Sequence, residues 1–100
     1  MEKEKLTKEQ IVETLKNNKD FLKKNFSVDN IILFGSYARN EATEKSDIDI
    51  LIECEKKTFR NYINILRFLE KLFDKKIDVI YKDSVNPFII NLIEKEWVYA

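Results

Sequence analysis

The sequence predicts an α/β sandwich, a small mixed β-sheet of three to four strands with helices packed on one side. Three observations lead there. Short apolar runs bounded by polar turns recur at 28–34, 47–54 and 77–81, with the length and β-branched composition of buried strands. Segments whose apolar residues recur at spacings of three and four, 7–25 and 59–74, alternate with those runs, as in a layered α/β unit. The only glycine of the chain, Gly35, falls where the first apolar run stops.

Taken in order, Thr7 is placed to cap the first helix, with Gln10 completing a capping box and Leu6 and Ile11 at the staple positions. Ile11, Val12, Leu15 and Leu22 make its apolar stripe, which reads as a face packed on the chain's own sheet rather than a partner-docking surface. Val28 to Phe34 is the first strand, and Tyr37 to Ala42 a helical turn after Gly35-Ser36. Thr43 to Ser46 is a polar loop, and Asp47 to Cys54 the second strand. Thr58 caps the clearest helix, 59–74, whose stripe holds Phe59, Tyr62, Ile63, Leu66, Leu69, Leu72 and Phe73. Ile77 to Tyr81 is a third strand. Asn86-Pro87 supplies a cap and a first-turn proline for a last helix from Phe88 to about Glu96, and Trp97-Val98-Tyr99 adds a short edge strand or tail.

Composition narrows the function. One hundred residues, 44% hydrophobic and 36% charged, make one compact soluble domain spanning 1–100. Lys and Arg balance Asp and Glu at 18 each, which argues against direct nucleic-acid binding, because backbone binders carry a basic excess. No apolar stretch approaches the ~20 residues of a membrane span, and the first residues carry no leader core. Cys54 is alone, so an internal disulfide is excluded and a cytoplasmic location is the default. It reads as a small packed hydrophobe. With no histidine, catalysis must rest on carboxylates, Lys, Tyr, Ser or a metal held by oxygen.

One constellation meets that restriction. Gly35 ends a strand where something must approach the backbone closely, and Ser36 begins a run of free N–H groups suited to phosphate oxygens. Asp47 and Asp49 stand two apart at the start of the second strand, so both carboxylates project from one face. Carboxylates beside Ile-rich packing are costly unless a cation or donor meets them. Two acids so spaced can bridge two Mg²⁺ ions about 4 Å apart, the geometry of in-line displacement at phosphorus. Asp78, on a neighbouring strand, can hold one ion and take the proton of an attacking hydroxyl. Each acid also has a plain reading: Asp47 as a turn residue, Asp78 as the ion-pair partner of Lys75 or Lys76.

Gly35-Ser36-Tyr37-Ala38-Arg39, followed by Ser46-Asp47-Ile48-Asp49-Ile50, resembles the signature of the DNA polymerase β nucleotidyltransferase superfamily. More narrowly, nearly the whole chain resembles a minimal nucleotidyltransferase (MNT), the antitoxin half of HEPN/MNT toxin–antitoxin pairs. That resemblance implies a polymerase-β-palm-like fold and a Mg²⁺-dependent protein adenylyltransferase moving AMP from ATP to a tyrosine of a cognate HEPN toxin. It implies that Asp47, Asp49 and Asp78 are the catalytic and metal-holding acids, and that Gly35, Ser36 and Arg39 face the nucleotide. Arg39 reads equally as a surface salt bridge. Asn40 departs from the glycine that relatives commonly place after Ala-Arg, and Asn tolerates the left-handed backbone such a glycine would supply. Two alternatives stay open: an antitoxin that neutralises its partner by contact alone, and a nucleotidyltransferase acting on a small molecule.

Overall fold

The computed structural model describes residues 6–100. Residues 1–5, which include the segment read as lacking a leader core, lie outside the described residues. Thr7 caps α1 (Lys8–Asn17) reciprocally: its hydroxyl accepts from the Gln10 N–H at 3.1 Å and the Gln10 side chain accepts from the Thr7 N–H at 2.9 Å. The single helix expected over 7–25 is two helices. Asn18 breaks it, because its side-chain amide donates to the Thr14 carbonyl at 2.8 Å and competes with the backbone ladder. α2 (Lys19–Phe26) then starts afresh, and the break lets Ile11, Leu15 and Leu22 enter one core.

Four strands form one sheet in the order β3-β2-β1-β4. β1 (Val28–Phe34) pairs antiparallel with β2 (Ile48–Cys54) and with β4 (Val98–Tyr99), while β3 (Ile77–Tyr81) runs parallel to β2. A parallel pair needs a crossover, and α4 (Phe59–Phe73) provides it. Alternation sorts the side chains. Ile31 and Leu33 of β1 and Ile48, Ile50 and Ile52 of β2 face α1, α2 and α4, where Leu15, Leu22, Ile65 and Leu69 close the main core.

The intervening residues Ile32 and Leu51 face the other way, onto Trp97 with Val85, Ile90 and Ile93 around it. The mixed sheet is therefore as expected and the three longer helices share one face. The short α5 (Pro87–Ile93) lies instead against the opposite face, since Ile32 and Leu51 are apolar there and need cover. Asn86 caps α5, accepting from the Phe88 N–H at 2.8 Å, and a 3-10 turn at Glu94–Glu96 completes the expected last helix. Phe88 and Leu92, 75% and 64% exposed, form the outer side of α5 with Ile89.

In α4 the buried stripe is Asn61, Ile65, Leu69 and Phe73, and Phe59, placed in the stripe by spacing, is 80% exposed. Phe59 is the first helical residue, a turn ahead of the packed stretch. Asn61 takes the inward place instead, its amide donating to the carbonyls of Phe26 and Lys56, each at 2.8 Å. Among the described residues no helix is long and apolar enough to cross a membrane.

Candidate active site

The face that carries Ile32 and Leu51 changes character toward one end of the sheet. Two residues before Leu51 comes Asp49, and the register sets it beside Phe34 of β1 and Asp78 of β3. Asp47 lies just ahead of β2, which starts at Ile48 when the Ile48 N–H donates to the Lys76 carbonyl at 3.1 Å. The acids thus occupy the open end of the face that Trp97 covers lower down.

The partly buried setting expected of all three holds for Asp47 and Asp49 and not for Asp78. Asp49 is half-buried, Asp47 is partly exposed beside the 43–46 loop, and Asp78 is exposed on the edge strand. Burial raises the Asp49 carboxyl most. Asp78 adds to this through its charge and a shared hydrogen bond, Asp47 adds charge, and Arg39 pulls weakly the other way; the result is a value of about 6.

Gly35 opens α3 (Gly35–Ala38) with φ +74°, and a Cβ built on it would stand 2.1 Å from Asp49 Oδ2 and 2.9 Å from its Cγ. The close approach anticipated at this glycine is made by Asp49 itself. α3 starts and ends earlier than the turn expected at Tyr37 to Ala42. Its end is a Schellman motif: the Asn40 N–H donates to the Tyr37 carbonyl at 3.2 Å and the Glu41 N–H to the Ser36 carbonyl at 2.9 Å. Asn40 sits at φ +59°, the left-handed position that its side chain was expected to tolerate. Ser36 is half-buried next to Gly35. Arg39 Nε donates to Glu41 at 2.9 Å, and its Nη1 lies 3.5 Å from Glu96.

Residues 15–100 match the nucleotidyltransferase domain family. The chain belongs to that family. A Methanocaldococcus jannaschii chain provisionally named a protein adenylyltransferase is 41% identical over 98 residues, covering 94% of this chain and 98% of that one. The protein adenylyltransferase MntA of Thermococcus cleftensis is 37% identical over 96 residues, covering 95% and 97%. A solved structure provisionally described as a minimal nucleotidyltransferase superposes with TM-score 0.79 at 22% identity, covering 96% of this chain and 98% of that one. A complex of a tri-AMPylated Shewanella oneidensis HEPN toxin with an MNT antitoxin gives TM-score 0.56 at 18% identity, covering 92% and 66%. At those identities the two structures speak to fold alone, and the α+β fold is that of minimal nucleotidyltransferases.

For a nucleotidyltransferase, the fit of these residues to a divalent cation rests on the donor set. Among the described residues no group of three or more acidic or cysteine side chains is placed to hold a metal ion by itself. The carboxylates instead form an open, all-oxygen set, in which burial first and then the neighbouring acids raise Asp49. Such a set suits Mg²⁺, which keeps waters and phosphate oxygens among its ligands.

Two features of this nucleotidyltransferase site were not legible in advance. The lysines before β3 turn to partners other than Asp78: Lys76 lies 3.8 Å from Asp47 Oδ2, and Lys75 donates to the Glu44 carbonyl at 2.8 Å. Glu96 comes from 57 residues away, and nothing local in the sequence ties it to Arg39.

Proposed function

We propose that this nucleotidyltransferase is a Mg²⁺-dependent protein adenylyltransferase of one domain, working in the cytoplasm. It moves AMP from ATP to a tyrosine of a cognate HEPN-type toxin and so acts as its antitoxin. The observation that carries the reading is Asp49, a half-buried carboxylate pressed against Gly35, in register with Asp78 and crowded by negative charge. The names of the relatives support a protein acceptor, and the AMPylated HEPN toxin of the similar complex supports the partner class.

In this reading Asp47, Asp49 and Asp78 would hold the divalent cations. When bound, Mg²⁺ would supply charge neutralisation at the α-phosphate and the leaving pyrophosphate. Asp78, the most exposed acid, accepts the proton of the tyrosine hydroxyl as its oxygen bonds to the α-phosphorus and the bond to pyrophosphate breaks. Gly35, whose missing Cβ makes room for the Asp49 carboxylate, faces the triphosphate with its backbone, and Ser36 donates to it. Arg39 exchanges Glu96 for a phosphate oxygen.

One observation favours a second reading, neutralisation by contact. The outer side of α5, with Phe88, Ile89 and Leu92, is apolar and uncovered in the isolated chain. Asp78→Asn separates the two. On the enzymatic reading transfer falls by at least ~10²-fold, the low end of a positioned general base, while the complex still forms on a sizing column. Mass spectrometry of the partner reads the modification. A partner left unmodified yet silenced as well as by wild type overturns the enzymatic account. Undiminished labelling from ATP by both Asp47→Asn and Asp49→Asn would overturn the two-metal assignment.

A further inference from the structure

The turn between α4 and β3 carries two lysines, and both reach the acid-bearing segment. Lys75 works as a strap: its ammonium donates to the Glu44 carbonyl and lies 5.9 Å over the Tyr37 ring, joining the 43–46 loop and α3 to the turn. Lys76 is placed differently. Its carbonyl accepts from the Ile48 N–H at 3.1 Å, which fixes its backbone beside the first residue of β2. Its ammonium, on a side chain 73% exposed, stands 3.8 Å from Asp47 Oδ2.

That combination has a chemical meaning. The backbone of Lys76 is anchored at the mouth of the acid cluster, while its charge hangs on a flexible solvated stem. An ion pair of that separation and exposure is weak, so it forms readily and yields readily. Arg39, the other cation felt by the cluster, is already engaged by Glu41 and Glu96. Among the described residues Lys76 is therefore the charge most available to the carboxylates and the one most easily displaced from them.

We propose that Lys76 is a positioning residue that serves as the acid cluster's tethered counterion, pairing with Asp47 when no cation is bound and competing with a divalent cation for that carboxylate. The proposal rests on the reading of Asp47 as a cation ligand. It predicts an unusual sign: removing a site lysine tightens metal binding.

The test is Mn²⁺ titration of the full chain without nucleotide, read by the loss of the free-ion electron paramagnetic resonance signal. Lys76→Met should lower the Kd by about 2- to 5-fold, the range over which a surface ion pair acts. Lys76→Arg, which keeps the charge, should bind like wild type, and Lys16→Met on α1 controls for net charge alone. Circular dichroism establishes that each variant is folded. Saturable Mn²⁺ binding by wild type with an unchanged or weaker Kd in Lys76→Met overturns the counterion role while leaving the metal reading intact. No saturable binding by wild type overturns both.

Discussion

Replacing Gly35 by alanine tests the closest contact in the site. Two penalties add. Alanine at φ +74° costs about 1–2 kcal/mol for a left-handed backbone. The new Cβ would also meet Asp49 Oδ2 at 2.1 Å, so the carboxylate must leave its rotamer, at about 0.5–1.5 kcal/mol. Together Gly35→Ala should destabilise by roughly 2–3 kcal/mol, a fall in Tm on the order of 10–20 °C for a chain this size. Thermal melts followed by circular dichroism measure the total, and a double-mutant cycle divides it. In an Asp49→Ala background the carboxylate is gone, so only the backbone penalty and a residual contact with the Asp49 Cβ position at 3.1 Å remain. The two substitutions should therefore couple by about 0.5–1.5 kcal/mol, the rotamer share of the penalty. Strict additivity, or a Gly35→Ala protein as stable as wild type, would refute the contact as the reason for the glycine.

Asp49 also sets a pH dependence in metal-free protein. Its folded value of about 6 lies above the ordinary 3.8, so the folded state holds the proton more tightly than the unfolded one. The stability it contributes is full below about pH 4 and is lost as pH rises through about 6. Melts in chelator between pH 4 and 7 should show this decline, and Asp49→Asn should flatten it. Asn40→Ala should lower stability by about 1 kcal/mol, because alanine lacks the side-chain tolerance for the left-handed Schellman position, and Asn40→Gly should be neutral or stabilising in the same denaturant melts.

Where the chain's own chemistry was local, the sequence carried it. The Thr7 and Asn86 caps, three strands and the crossover helix follow from residues within a few positions of one another, while the left-handed Asn40 follows from the family resemblance. Gly35 could be read as a point of close approach, but what approaches it depends on a strand pairing that places Asp49 beside Phe34. Of the three acids expected in apolar strands, Asp78 is the exposed one, because it lies on an edge strand at the uncovered end of the outer face. Sheet order, not the apolar run, decides that. The split at Asn18 is not legible in the sequence because the apolar stripe continues across it, while the amide that breaks the helix acts through a single hydrogen bond. The Arg39–Glu96 and Lys76–Asp47 pairs join residues 57 and 29 positions apart, beyond any local pattern.

The position of Asp78 matters beyond chemistry at phosphorus. β3 borders the sheet with one side paired to β2, so its outer backbone offers a template to another chain. Its five residues are Ile77, Asp78, Val79, Ile80 and Tyr81, and Asp78 is the only charge among them. The same carboxylate therefore acts as a gatekeeper against strand-to-strand association. Neutralising it leaves an uncharged, strongly β-forming segment on an open edge, the composition that favours aggregation. A lineage that discarded the proposed catalysis would still lose colloidal protection if it gave up this acid, so selection for solubility would retain Asp78 independently of selection for activity.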